Sequence, residues 1–179
     1  MRFLTALIVL TGLTSPLAWS QTKTSAAVTQ SAANAAAPQV FGRFGDWRAA
    51  THQEAGQLVC YAYTQAIKSN PALPGRGAVT LTVTQRPAGP RDAVAVTPGF
   101  AYQANAAVAV SVDGTAHDFY AAQRSAFARD GKAAVQGFLK GKIVLVRSPN
   151  AKSGVISDSF SLKGFAAAYA AINKACPQK

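Results

Sequence analysis

The sequence predicts a mainly β domain, built as a sandwich or barrel and interrupted by two helices, the second at the C-terminal end. Three observations predict it: short runs that alternate apolar and polar residues, turn dipeptides and prolines between those runs, and two late segments with apolar residues at helical spacing. The chain has 179 residues, which suits one domain with a tail and is long enough for a real core. Hydrophobic residues make up 49% and charged residues 14%, which argues against global disorder.

The first element is an export signal over residues 1–20. Arg2 supplies the positive start, residues 3–13 (FLTALIVLTGL) form the apolar run, and Pro16 breaks it. Ala18 and Ser20 are the small residues expected before a cleavage bond ahead of Gln21. A membrane span needs about twenty apolar residues, so this run is too short, and no transmembrane segment is expected in the mature protein. Residues 21–38 (QTKTSAAVTQSAANAAAP) are rich in Ala, Ser, Thr and Gln without an apolar face, and read as a flexible tether. A single folded domain is expected over 39–179.

Strands come next. Residues 58–64 form one. Residues 78–84 (AVTLTVT) set Val79, Leu81 and Val83 on one face against Thr80, Thr82 and Thr84 on the other, the signal of a half-buried strand. Val94 and Val96 repeat the pattern, as do Val108, Val110 and Val112. The latter run into Asp113-Gly114, a turn dipeptide suited to positive φ, and on into a second arm over 115–121. Residues 143–146 (IVLV) are apolar on both faces, as in a central strand covered on both sides. Pro87, Pro90 and Pro98 fall between strands, where a missing N–H does no harm. Residues 69–77 (SNPALPGRG) form the longest irregular loop. A helix capped by Asp130 carries Val135, Phe138 and Leu139 and closes at Gly141. A second helix places Phe165, Tyr169, Ile172 and Cys176 on one face, so Cys176 should point to the core.

Cys60 and Cys176 are the two cysteines of the chain. An exported address is oxidising, one lies in an apolar strand and the other on the apolar face of the last helix, and C-x-x-C redox spacing is absent. A structural disulfide is expected.

Composition narrows the chemistry. Seven acids, two His and two Cys are sparse material for a two-carboxylate glycosidase, a multi-metal enzyme or a zinc site. No G-x-S-x-G elbow accompanies His117-Asp118, whose neighbouring side chains on a strand point to opposite faces. No catalytic residue, metal or cofactor is assigned. Without Arg2 the net charge is +10, one less than the +11 of the whole chain, which favours anionic partners. Phe119, Tyr120, Arg124, Phe127 and Arg129 come nearest to the interleaving of bases and aromatics that nucleic acid requires. The exported address argues against nucleic acid as the natural partner.

Asp158 is the notable acid. In a strand over 155–162, Ile156, Asp158, Phe160 and Leu162 share one face, which sets a carboxylate among apolar residues. Buried, it needs a cation such as Arg124, Arg129 or Arg147. The expected role is a buried ion pair, with a ligand site as the alternative. Gly45-Asp46-Trp47 is expected to be structural, with Trp47 filling the core and Gly45 and Asp46 shaping a turn.

Phe44-Gly45-Asp46-Trp47, Cys60-Tyr61, Arg86-Pro87, Val112-Asp113-Gly114, Ala128-Arg129-Asp130, Ser161-Leu162-x-Gly164-Phe165 and Cys176 together resemble the invasion-associated locus B family. These are exported proteins of alphaproteobacteria named for a member linked to host-cell invasion, and the resemblance covers residues 41–176. It implies an immunoglobulin-like β-sandwich over 39–179, with a short helix near 131–140 and a C-terminal helix near 164–176. Some members carry a further Cys shortly after the Gly-Asp-Trp; here residues 48–53 hold none, so no second bridge forms. The resemblance carries over no catalytic residues.

The expected function is that of a non-enzymatic, periplasmic or secreted basic protein that binds a protein or an anionic envelope or host surface. The alternative is an envelope accessory enzyme or an enzyme inhibitor with its site near Asp158 and 124–130.

Overall fold

A computed structural model describes residues 37–178, so the signal expected over 1–20 and all but the last two residues of the tether lie outside the described residues. The strands in chain order are β1 (Gln39–Phe44), β2 (Trp47–Glu54), β3 (Gln57–Gln65), β4 (Lys68–Asn70), β5 (Thr80–Gln85) and β6 (Ala93–Thr97). They are followed by β7 (Ala109–Val112), β8 (Thr115–His117), β9 (Phe119–Ala122) and β10 (Ser125–Ala128). Helix α1 (Gly131–Lys140) precedes β11 (Ile143–Asn150) and β12 (Gly154–Ser161), and helix α2 (Phe165–Ala175) comes last.

Two antiparallel sheets result. A seven-stranded sheet has the order β1-β2-β3-β5-β6-β10-β9 and a five-stranded sheet the order β4-β12-β11-β7-β8. Alternation in the sequence sets what each sheet buries. Leu81, Val83, Val94 and Val96 from the larger sheet meet Val110, Val112, Val144, Val146 and Phe160 from the smaller in one apolar core. This is the mainly β sandwich expected, with more strands than the seven to nine or so of an immunoglobulin domain.

Helix α2 lies against β1, β2 and β3, on the inner face of the larger sheet. The centroids of Trp47 and Phe165 are 4.7 Å apart, and both residues are fully buried, as are Ala168 and Ile172. Burying each large side chain contributes roughly 1.5–3 kcal/mol. Two devices hold the start of α2 in place. Trp47 donates its indole N–H to the Ser161 carbonyl at 2.9 Å, and Asp46 donates its amide to the Lys163 carbonyl at 3.1 Å. Gly164 precedes the helix at φ +91°, where a Cβ would run into the Phe44 carbonyl. Helix α1 is capped by Asp130, whose Oδ1 accepts the Ala133 amide at 2.9 Å, and Gly141 closes it.

Three local expectations change. The arm expected over 115–121 is two strands in different sheets: β8 pairs with β7, while β9 pairs with β10, and Asp118 sits at the crossing. Strand β11 continues through Pro149 to Asn150, and its outer face is open, with Ile143 exposed, so it is not covered on both sides. The loop over 69–77 begins with the edge strand β4 and contains a cis Asn70–Pro71 bond. The edge strands β1 and β4, and β10 next to the edge, carry no clear alternation of their own.

Candidate functional site

Asp158 projects into the sandwich from β12 and is fully buried. Its cation is Arg76, from the irregular loop, and not Arg124, Arg129 or Arg147. Arg76 Nη1 lies 3.1 Å from Asp158 Oδ2, Nη2 pairs with Oδ1, and Ser69 donates its hydroxyl to Oδ1 at 2.6 Å. Arg76 also donates to the Pro98 carbonyl at 3.1 Å. The carboxylate thus accepts three hydrogen bonds from two side chains.

The other three arginines are elsewhere for simple geometric reasons. Arg147 follows Val146, the residue directly opposite Asp158, so alternation turns Arg147 to the exposed outer face. Arg129 follows β10, one strand in from the edge strand β9, and pairs with Asp118 at 3.3 Å. Arg124 is exposed in the β9–β10 turn and joins no ion pair. Asp130 is spent on capping α1. None of Arg124, Arg129 and Asp130 hydrogen-bonds or ion-pairs with Asp158.

Beside this pair Tyr102 shares a hydrogen bond of 2.8 Å with Ser148, both buried. Burial raises the Tyr102 phenol above its ordinary value; the Ser148 bond opposes this and the nearby Asp158 charge adds to it. Cys60 and Cys176 are joined in a disulfide across 116 residues, tying α2 to β3. Gly45 and Asp46 form the β1–β2 turn, and Trp47 is core. Among the described residues no three of His, Cys, Asp and Glu gather as a metal would need. No helix among them is long and apolar enough to cross a membrane.

The open surface is the outer face of the seven-stranded sheet. Register sets one row of directly opposed residues across it: Arg43, Arg48, Tyr63, Thr82, Ala95, Phe127 and Tyr120. A parallel row holds Ala50, Tyr61, Thr84 and Ala93. Tyr61 and Tyr63 lie 5.7 Å apart with planes inclined by 32°, and His52 meets Tyr61 edge-on at 5.4 Å. Partial burial and the neighbouring Tyr63 raise the Tyr61 phenol, which keeps it neutral. At the far edge Tyr120 and Phe127 are 5.8 Å apart, and the Arg129 guanidinium lies 5.0 Å above the Tyr120 ring. Phe119, grouped with them in sequence, faces inward and is buried. Next to the arginine end, Arg43, Arg48, Asp46 and Gln65 line a pocket of about 290 Å³.

Arg43, Arg48, Tyr61 and Tyr63 were not singled out from the sequence. The signal is weak: Arg48 and His52 in β2 are two positions either side of Ala50, and Tyr61 and Tyr63 alternate in β3.

A family profile described as invasion associated locus B (IalB) protein matches residues 47–173, well over half of the chain. The chain belongs to the invasion associated locus B family. Among solved structures it is similar to the crystal structure of invasion associated protein b from Bartonella henselae. The two share 18% identity at a TM-score of 0.54, over 75% of this chain and 95% of that one. At that identity the likeness is one of fold. No curated protein matches. Within this invasion associated locus B chain the matched segment takes in Arg48, Tyr61, Tyr63 and Asp158. Arg43, Gly45, Asp46 and Cys176 fall outside it, so the two opposed arginines lie on either side of its boundary.

Proposed function

We propose that this protein is exported, without catalytic activity, and works by binding an anionic component of the cell envelope or of a host surface. One observation carries the reading: its acids are used internally and its bases are left at the surface. Asp158 pairs with Arg76, Asp92 accepts from Gln85 and Tyr169, Asp113 accepts the amides of Lys142 and Ile143, and Asp130 caps a helix. Glu54 and Asp118 each hold an arginine. Among the described residues Arg43, Arg48, Arg124 and Arg147 enter no ion pair, nor does any lysine. Net positive charge with no internal use raises the local concentration of anionic partners. The disulfide supports an address outside the cytoplasm, and family membership supports a role associated with invasion.

The test is capture of partners on the tagged native protein without crosslinking, washed at low and at high salt. An anionic lipid, glycan or acidic protein is expected at low salt, depleted as salt screens the contact. Recovery of no anionic component at low salt refutes the reading.

A further inference from the structure

We propose that the outer face of the seven-stranded sheet binds an acidic polysaccharide. Arg43 and Arg48 take its carboxylate or sulfate groups, and Tyr61 and Tyr63 pack against its sugar rings. The proposal rests on the anionic-contact reading above and names the chemistry of the partner.

The arginines are the first ground. Arg43 and Arg48 are directly opposed across β1 and β2, a placement in which like charges repel and destabilise the sheet. Neither has an acidic partner among the described residues, so the fold gains nothing from the arrangement. A shared anion would turn that repulsion into attraction, and a guanidinium fork matches a planar or tetrahedral oxyanion in bidentate fashion. Asp46 is the one carboxylate on the pocket rim, and it pairs with neither arginine.

The rings are the second ground. Sugar C–H bonds carry slight positive charge and suit the negative face of an aromatic ring. Each tyrosine already has a ring neighbour, with His52 edge-on to Tyr61 and Tyr63 tilted against it, so the two rings form one continuous platform. A sugar ring packs against one face of such a platform, and the oligonucleotide arm of the test below distinguishes it from a base.

The floor is the third. Between Tyr63 and Phe127 lie Thr82 and Ala95, with Thr84 and Ala93 alongside, all short. Three strand spacings, roughly 14 Å, separate the two aromatic rows. An extended chain can lie flat across that floor and bond to the threonine hydroxyls. Beyond it Tyr120, Phe127 and Arg129 repeat the pairing of ring and guanidinium. The row from Arg43 to Tyr120 contains no carboxylate.

Titration of the purified protein with a short heparin oligosaccharide tests this, alongside uncharged maltooligosaccharide, single-stranded oligonucleotide and phosphatidylglycerol vesicles. Tyr63→Ala should weaken heparin binding about tenfold with no change of charge. Arg43→Gln with Arg48→Gln should weaken it by at least about tenfold. The same charge removed from α1, by Lys132→Gln with Lys140→Gln, should cost less than about threefold. Unchanged melting shows that the variants fold, and Arg43→Lys with Arg48→Lys separates fork geometry from charge. Equal losses from both charge pairs, with none from Tyr63→Ala, would overturn the site and leave the anionic-contact reading standing. Tighter binding of oligonucleotide or vesicles than of heparin overturns the polysaccharide assignment. Failure to bind any anionic probe sinks both.

Discussion

Asp158 and Arg76 show what one buried charge asks of its surroundings. Each is stable inside only because the other is there, since removing one partner of a buried pair leaves an uncompensated ion. Asp158→Ala should cost about 3–5 kcal/mol in urea unfolding. Asp158→Leu combined with Arg76→Met should cost clearly less than the sum of its single changes, as a double-mutant cycle measures. Gly164 is demanding for a different reason. At φ +91°, against the Phe44 carbonyl, an added Cβ meets both backbone strain and a clash, so Gly164→Ala should lose on the order of 3 kcal/mol or more of stability. The inward position of Asp158 was legible from alternation in β12. Its partner was not, because Arg76 sits in a loop without periodicity and reaches the carboxylate only through the path of the chain.

At the level of elements, legibility follows period and capping. Helix α1 and β5 could be read from the sequence to within a residue or two, since a cap, a closing glycine or strict alternation marks their ends. The crossing at Asp118 could not, because β8 and β9 run on as one extended segment and only their pairing partners differ. Helix α2 is fixed to the larger sheet by its apolar face and by Cys60–Cys176. Replacing both cysteines by serine should lower stability by up to about 4–5 kcal/mol in the chain-entropy picture, and hydrogen exchange should rise first in α2. The segment between β6 and β7 is held by Tyr102, which donates its amide to the Gln123 carbonyl and shares its hydroxyl with Ser148. Folding raises the phenol above its ordinary value of 10.0. The folded state therefore keeps the proton where the unfolded chain gives it up. The contribution is intact below about pH 10 and is lost as pH rises through the folded value. Alkaline melting curves should fall less steeply for Tyr102→Phe.

For the molecule as a whole, the economy of acids decides the surface. Six of seven carboxylates have internal partners, so salt should weaken association far more than it changes folding. Raising ionic strength should shift the affinity for an anionic probe by orders of magnitude while the melting temperature moves by a few degrees at most. Composition made the excess of base visible. It could not show that Arg43, Arg48 and the tyrosines share one face, because that depends on the register of strands distant in sequence. The order of the chain has a further consequence. The inner face of β1, β2 and β3 is covered by α2, which follows every described strand, so during synthesis Trp47 and its neighbours wait uncovered until the last helix arrives. Cys60 waits with them for the only other thiol of the chain. A disulfide formed before then can only join Cys60 to another molecule.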